Sequence, residues 1–249
     1  QTVIINGDAG NDVLVGSSFN DVMNGGAGND VVNGRAGNDT LGGDADNDTL
    51  LGGGGADNLF GGDGADRIKG QGGTDSVGGG AGDDTIEGGA GTSSLREEGN
   101  VDLTIRSSGA AIILEGLGTD LITGTYTTVE LIGGSAGNRL DASEYTGNVT
   151  LDGAGGDDTL IGTSNVDGII GGTGNDNINA GFDDDTIDGG EGDDYIVGGE
   201  GSDLIYGGDD DDTIYGGADN DEVYGESGAD SLCGGTGDED LSGGEGNDL

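Results

Sequence analysis

A period of nine residues constrains this chain more than any other feature of its sequence. The repeat units follow one another without a gap from Gly7 to Arg96, and residues 25–33 (GGAGNDVVN) show the pattern. A second array with the same pattern opens at Gly153 and runs to Leu249. Repeats of fixed length are typical of solenoids, in which each unit packs only against its neighbours. The sequence therefore predicts a solenoid instead of a globular domain with one compact core.

The sixth position of the unit carries an acidic residue in 20 of the 21 units, and Ser93 is the exception. A merely solvated acidic surface would hold charge but would not keep this phase. Carboxylate oxygens are hard ligands that suit Ca²⁺ or Mg²⁺, so we interpret position six as the metal-ligand position. The candidate ligands are Asp12, Asp21, Asp30, Asp39, Asp48, Asp57, Asp66, Asp75, Asp84, Asp158, Asp167, Asp176, Asp185, Asp194, Asp203, Asp212, Asp221, Asp230, Glu239 and Asp248.

The eighth position is aliphatic or methionine in every unit that reaches it, as in Met23, Leu50 and Ile196. In an extended segment the side chains of positions seven to nine point outward, inward and outward, so position eight alone enters the core. Glycines at positions one, two and four supply the positive φ angles and the close backbone approach that a tight metal-binding turn needs. If positions seven to nine are extended, as in an all-β fold, the pattern places one core side chain in each unit.

The charge balance indicates what can bind to such a chain. There are 51 acidic and 6 basic residues, for a net charge of −45, and histidine is absent. This surface repels nucleic acid and anionic lipid, so its expected partners are multivalent cations, with no nucleic acid among them. The lone Cys233 and the lack of histidine exclude disulfides within the chain and His/Cys zinc sites. We interpret Cys233 as a tolerated surface thiol, with a disulfide between two chains as the alternative. No apolar run approaches the ~20 residues of a membrane helix, so we expect no membrane insertion.

The nonapeptide resembles the calcium-binding repeats of the RTX (repeats-in-toxin) family. That resemblance implies a parallel β-roll, a β-solenoid in which two units make one coil. In the family the first six residues of a unit form a turn and the last three a short strand. The resemblance also implies that Ca²⁺ ions lie between successive turns, each held by two position-six carboxylates and several turn carbonyls.

Pairing the position-six acids 18 residues apart gives an expected number of ions. The first array has seven such pairs, from Asp12/Asp30 to Asp66/Asp84, and the second has nine, from Asp158/Asp176 to Asp230/Asp248. Roughly sixteen Ca²⁺ ions would reduce the net charge from −45 to −13 and so remove most of the self-repulsion that opposes folding. We therefore expect the chain to fold when it binds calcium.

Several units depart from the repeat. Phe19 and Asn165 replace the position-four glycine, and we expect those two turns to bind calcium weakly or differently. Asp46 and three other aspartates replace the same glycine. Aspartate adopts the left-handed conformation at a lower cost than phenylalanine does. Acids at position five, such as Asp193, are expected to strengthen the local field more than to ligate an ion.

The phase is lost between the two arrays. We predict a first calcium roll at residues 1–96, a calcium-poor solenoid connector at 97–152, and a second calcium roll at 153–249. Strand-like runs in the connector are residues 101–105, 112–114, 128–132 and 148–152. Residues 133–138 look like a decayed repeat, with Arg139 expected at the place of the ligand acid. A small inserted β domain or a hinge is the alternative for this segment.

Tyrosines occupy position nine of three successive units, at Tyr206, Tyr215 and Tyr224. An 18-residue coil would place Tyr206 and Tyr224 one above the other on an outer face. We interpret the pair as a stabilising ladder, with a contact stripe for a partner as the alternative.

No nucleophile–base constellation or phosphate loop accompanies the repeats, so we expect no enzymatic activity. We expect a calcium-binding structural module of a secreted protein at the bacterial cell surface. Because neither end carries a polar cap, the chain is expected either to belong to a larger protein or to assemble head to tail into extracellular filaments. The alternative function is an adhesin, or a secretion-assisting RTX segment of a larger exported enzyme or toxin.

Overall fold

Every regular element in the described part of the chain is a β-strand. The computed structural model describes residues 1–90, 93–98, 103–108, 111–115, 119–123 and 126–249. The strands up to residue 132 are β1 (Ile4–Asn6), β2 (Val13–Val15), β3 (Val22–Ala27), β4 (Val31–Ala36), β5 (Thr40–Ala45), β6 (Thr49–Gly54), β7 (Asn58–Asp63), β8 (Arg67–Gly72), β9 (Ser76–Ala81), β10 (Thr85–Glu87), β11 (Ser93–Glu98), β12 (Leu103–Ser108), β13 (Ala111–Glu115), β14 (Thr119–Thr123) and β15 (Tyr126–Ile132). The later strands are β16 (Arg139–Glu144), β17 (Thr150–Asp152), β18 (Thr159–Ile161), β19 (Gly168–Thr173), β20 (Asn177–Phe182), β21 (Thr186–Glu191), β22 (Tyr195–Glu200), β23 (Leu204–Asp209), β24 (Thr213–Ala218), β25 (Glu222–Ser227), β26 (Ser231–Thr236) and β27 (Asp240–Glu245).

The chain forms two compact units. One contains Gln1–Glu97 and Ser107–Val129, and the other contains Glu98–Arg106 and Glu130–Leu249. In the first unit, successive strands alternate between two sheets, one ordered β1-β3-β5-β7-β9-β11 and the other β2-β4-β6-β8-β10-β14-β13. In the second unit the sheets are ordered β17-β19-β21-β23-β25-β27 and β16-β18-β20-β22-β24-β26. Two consecutive strands therefore make one coil of a solenoid in each unit.

The strand register has the expected coil length. Met23 pairs with Leu41 in the first unit and Ile196 with Ile214 in the second, each 18 residues apart in parallel strands. The predicted all-β parallel solenoid, with two nonapeptide units per coil, is confirmed. Strands β13 and β14 pair differently, because they run antiparallel with Ile112 opposite Ile122.

The core of each unit is a column of position-eight side chains. Those from Leu14 to Leu95 and from Leu160 to Val223 are buried, most of them at 0–1 % exposure. Removing such a side chain from water contributes about 1.5–3 kcal/mol, and each coil contributes two of them. Leu241, in β27, is 44 % exposed.

The strands are longer than the resemblance implied. Most cover six residues, positions seven to nine of one unit and one to three of the next, as in Val31–Ala36. Ladder pairing resumes after position one, since Gly26 pairs with Asp44 and Ala27 with Ala45. The expected six-residue turn with a three-residue strand is therefore wrong for these units, and the turn consists of positions four to six.

Part of the calcium-poor connector predicted at 97–152 lies outside the described residues, and its boundaries stay a prediction. Of the predicted strand 101–105, residues 101 and 102 lie outside the described residues, while β12 begins at Leu103. The runs 112–114 and 128–132 lie within β13 and β15, and the run 148–152 is shortened to Thr150–Asp152.

The tyrosine pair lies where the coil length places it. The rings of Tyr206 and Tyr224 stack with centroids 5.3 Å apart and an angle of 14° between their planes. They occupy paired positions on β23 and β25. This geometry favours the ladder interpretation, because each ring covers a face of the other.

Candidate metal centre

The position-six carboxylates form a ladder along the turn edges of each unit. The backbone N–H of Asp30 donates to Oδ1 of Asp48 over 2.7 Å, and that of Asp194 donates to Oδ1 of Asp212 over 2.9 Å. The same bond recurs from coil to coil, always toward the residue 18 positions later. Successive carboxylates are thereby held in adjacent coils at the same edge, as predicted.

In most of these residues the second carboxylate oxygen accepts no hydrogen bond. It is buried and unpartnered in fifteen position-six aspartates of the described chain, which are Asp12, Asp30, Asp39, Asp48, Asp57, Asp66, Asp75, Asp158, Asp176, Asp185, Asp194, Asp203, Asp212, Asp221 and Asp230. A buried anionic oxygen without a partner is costly, and a native fold does not repeat that cost at regular intervals without compensation. These oxygens fit a cation.

The glycine at position one gives the carboxylate its space. A Cβ atom added at Gly189 would lie 2.4 Å from Oδ2 of Asp194 and 2.4 Å from the carbonyl oxygen of Gly207. The φ angle at Gly189 is not in the left-handed region, so the requirement here is for close approach. At positions two and four, by contrast, Gly190 and Gly192 have φ angles of 111° and 124°, which favour glycine.

Burial, and to a lesser extent the charge of neighbouring carboxylates, raises the pKa of these aspartates. Burial, followed by the charges of neighbouring aspartates, raises the pKa of Asp185 to about 8 and those of Asp194 and Asp212 to about 7, although each accepts a backbone N–H that lowers it. Stacked anions at this spacing oppose the fold unless a cation lies among them. Oxygen ligands in a flexible shell of about 6–8 suit Ca²⁺ better than Mg²⁺.

Carbonyl groups would complete any such shell. In the described residues, no group of three or more His, Cys, Asp or Glu side chains is placed to hold one metal ion. Two carboxylates therefore need backbone oxygens beside them, and the turns supply these. The carbonyl oxygen of Gly207 already lies beside the carboxylate of Asp194, at the point where a Cβ of Gly189 would meet both.

Position-five side chains form a second ladder that sequence reasoning missed. Oδ1 of Asp193 accepts the backbone N–H of Asp211 over 3.0 Å, and Oδ1 of Asp211 accepts that of Ala229 over 2.7 Å. Asn29 and Asn47 accept N–H groups in the same way. Since only an acceptor is required, Asn and Asp interchange freely at this position. The alternation of Asn and Asp at position five was the sequence feature that could have revealed this ladder.

Within the two nonapeptide arrays, the turns that contain Phe19 and Asn165 have a different construction. Neither residue has a positive φ angle. Instead, the N–H of Ser17 donates to Oδ2 of Asp21 over 2.5 Å, and the N–H of Thr163 donates to Oδ2 of Asp167 over 2.6 Å. Burial raises the pKa of Asp21, but the N–H groups of Ser17 and Val3 and the Ser17 hydroxyl outweigh it, so that its pKa is lowered.

The decayed repeat at 133–138 places Asn138, not Arg139, at position six. Asn138 is 5 % exposed, its N–H donates to Oδ1 of Asp158 over 2.6 Å, and Leu140 follows as the core residue. The expectation for Arg139 is therefore wrong by one residue. It begins β16, where its guanidinium contacts Asp141 over 2.6 Å. The distance along the chain to Asp158 is 20 residues instead of 18.

The ends of the ladders differ from their middles. Glu239 accepts the N–H of Asp221 through Oε2 over 2.8 Å, and its Oε1 is buried without a partner. Asp248 is exposed and accepts the N–H of Asp230 over 3.3 Å. Asp84 accepts the N–H of Asp66 over 2.7 Å. Past Asp84, the buried carboxylate of Glu97 accepts the N–H groups of Gly79 and Gly80, a role the sequence did not reveal.

Comparison with known proteins gives one result that bears on this site. The family described as RTX calcium-binding nonapeptide repeat matches residues 6–41, 42–77, 60–95, 161–196, 170–205, 197–232 and 233–249. These segments cover more than two thirds of the chain and coincide with the two arrays. No curated protein sequence matches the chain. Among the described residues, no helix has the length and apolar character to cross a membrane.

Proposed function

Because the chain belongs to the family of RTX calcium-binding nonapeptide repeats and is a calcium-binding structural module, we propose that its position-six carboxylates hold Ca²⁺ between successive coils and that this binding folds the chain. The ligands would be the position-six acids of two coils together with turn carbonyls. Bound Ca²⁺ supplies positive charge and an oxygen-preferring coordination shell in place of hydrogen-bond donors. The chain's own residues hold the ladder in register.

The observation that carries this proposal is the row of buried carboxylate oxygens without hydrogen-bond partners. In Asp57, for example, Oδ1 accepts the N–H of Asp39 over 2.8 Å, while Oδ2 is buried and unpartnered. The same division of roles between the two oxygens recurs through both arrays. With a net charge of −45, the folded chain concentrates anions that the unfolded chain disperses, so cation binding is coupled to folding.

We extend the proposal to secretion and the cell surface. RTX repeats are typical of secreted bacterial proteins, and extracellular calcium modules bind with dissociation constants of about 10⁻⁴–10⁻³ M, suited to calcium outside the cell. The roll is a structural fold, and its carboxylates serve the ladder instead of catalysis. An adhesin or a segment of a larger exported protein would use it as a calcium-dependent scaffold. The head-to-tail filament stays a prediction.

Circular dichroism during a calcium titration tests coupled folding. We expect a disordered spectrum in excess EGTA and a β-rich spectrum after Ca²⁺ is added, with a much weaker response to the same concentration of Mg²⁺. The magnesium control separates specific coordination from general screening of charge. A β-rich spectrum that persists unchanged in excess chelator would sink the proposal.

A further inference from the structure

Here a turn means positions one to six of a unit, from the position-one glycine to the position-six side chain, although positions one to three lie in a strand in most units. The turns of the arrays have two constructions. In the common one, which we call the open turn, positions two and four have positive φ and the position-six Oδ2 is unpartnered. The turn from Gly52 to Asp57 is an example, with φ angles of 113° at Gly53 and 138° at Gly55. In the other, which we call the closed turn, the N–H of position two donates to the position-six side chain.

The closed turn of the first array is residues 16–21. Oδ2 of Asp21 accepts the N–H of Ser17 over 2.5 Å, and Oδ1 accepts both the Ser17 hydroxyl over 3.0 Å and the N–H of Val3 over 2.7 Å. The same hydroxyl oxygen accepts the N–H of Phe19 over 3.2 Å. The carboxylate thus has donors on both oxygens, including the one that open turns leave without a partner.

The second array repeats this arrangement in residues 162–167. Oδ2 of Asp167 accepts the N–H of Thr163 over 2.6 Å, and Oδ1 accepts the Thr163 hydroxyl over 3.1 Å and the N–H of Val149 over 2.9 Å. The Thr163 hydroxyl oxygen accepts the N–H of Asn165 over 3.0 Å. The two turns differ in sequence but form the same set of hydrogen bonds, because both have a hydroxyl side chain at position two.

A third closed turn shows that no carboxylate charge is needed. In residues 133–138 the neutral Asn138 accepts the N–H of Gly134 through Oδ1 over 2.7 Å. Asn138 still donates its own N–H to Asp158 and so continues the ladder into the next coil. A turn of this shape is therefore complete with a neutral amide, which is a poor ligand for Ca²⁺ by comparison with a carboxylate.

We propose that Ser17 and Thr163 close their turns with hydrogen bonds in place of Ca²⁺, so that these turns are metal-independent members of the two arrays. The N–H of position two directs the positive end of its dipole at the oxygen that a cation would otherwise contact. The pairs Asp21/Asp39 and Asp167/Asp185 then hold no ion, and the expected sixteen ions become fourteen. This inference rests on the proposed function, in which open turns do bind Ca²⁺.

Calcium stoichiometry, measured by equilibrium dialysis on the full chain, tests the inference with matched charge changes. Asp21→Asn and Asp167→Asn should leave the number of bound ions unchanged, because these turns hold no ion, and Asn138 shows that an amide oxygen can accept the position-two N–H. Asp57→Asn, in an open turn on the same edge as Asp21, should lose about two ions. Loss of ions in both closed-turn variants equal to the loss in Asp57→Asn would overturn the inference.

The converse variants gain sites instead of losing them. Ser17→Gly with Phe19→Gly, and Thr163→Gly with Asn165→Gly, restore the open-turn sequence and should each add about one ion. Ser18→Gly, at position three of the same turn, is the control and should add none. An unchanged stoichiometry in both restored variants, with wild-type circular dichroism, would contradict the inference. If Asp57→Asn also changed nothing, the proposed function itself would fail, whatever the closed turns do.

Discussion

Replacing Asp194 by asparagine should remove two calcium sites without disturbing the ladder. Asp194 is 2 % exposed, its Oδ1 accepts the N–H of Asp176 over 2.8 Å, and its N–H donates to Asp212. Asparagine keeps the Oδ1 acceptor and the backbone donor. It removes only the charge and the unpartnered oxygen, so any loss of stability reports on the ion sites shared with Asp176 and Asp212.

The size of this loss follows from linkage. With a dissociation constant of about 10⁻⁴–10⁻³ M and calcium at about 10 mM, one site stabilises the folded chain by about 1.4–2.7 kcal/mol. Two sites together give about 3–5 kcal/mol. We expect Asp194→Asn to reduce the free energy of unfolding by that amount in urea titrations, and the loss should shrink as the calcium concentration is lowered.

Asp193→Asn is the matched control, because it removes the same charge one residue away. Asp193 is exposed, and asparagine preserves its Oδ1 acceptor for the N–H of Asp211. A surface change of this kind is expected to alter stability by less than about 0.5 kcal/mol. Equal losses in the two variants, or a loss in Asp194→Asn that does not depend on calcium, would refute the assignment of position six as the ligand.

Two further predictions concern the packing around the position-one glycine and the pH dependence of stability without calcium. Gly189→Ala places a methyl group 2.4 Å from both Asp194 Oδ2 and the Gly207 carbonyl oxygen, so we expect a destabilisation of about 1–3 kcal/mol in urea titrations. Gly168→Ala, where the nearest atom is 3.9 Å away, should be neutral or stabilising by up to about 1 kcal/mol; the reverse order would contradict this packing. Without calcium, the pKa of Asp194 is about 7 in the folded chain, against a reference value of 3.8. Between these two pH values the folded chain binds more protons than the unfolded chain. The stability of the folded chain therefore falls as pH rises from 3.8 to about 7. Circular dichroism of protein freed of calcium beforehand by dialysis should therefore show more β structure near pH 5 than near pH 8, where we expect disorder, and a signal that rises with pH would be the wrong sign.

The sequence predicts the core and the ladder well because both follow from a strict period. Position eight alternates inward in an extended segment, so Ile196 and its equivalents had to be buried. The 18-residue spacing of the acids required only that two units make a coil. These features depend on backbone geometry that every unit shares, and local substitutions do not alter them.

The features that the sequence did not predict depend on which donor group each acidic or amide side chain accepts a hydrogen bond from. A hydroxyl at position two of residues 16–21 competes for the carboxylate that a cation would bind, and the period does not show that competition. Glu97 lies outside the repeat phase, so nothing in the spacing marks it as the acceptor for Gly79 and Gly80. Arg139 was misplaced by one residue, since counting from Gly133 puts Asn138 at position six. The lengthening of the coil to 20 residues is a separate feature, and it shows in the pairing of Arg139 with Thr159.

The most direct test of the central claim is an anomalous difference map from crystals grown in calcium. The account predicts peaks in rows along the turn edges, each between position-six carboxylates of adjacent coils and about 4.7–4.9 Å from the next peak, the spacing of neighbouring strands. Peaks should lie beside Asp194 and its equivalents in open turns. An ordered roll whose anomalous peaks lie only at exposed position-five carboxylates such as Asp193, or that shows no row of peaks, would contradict it.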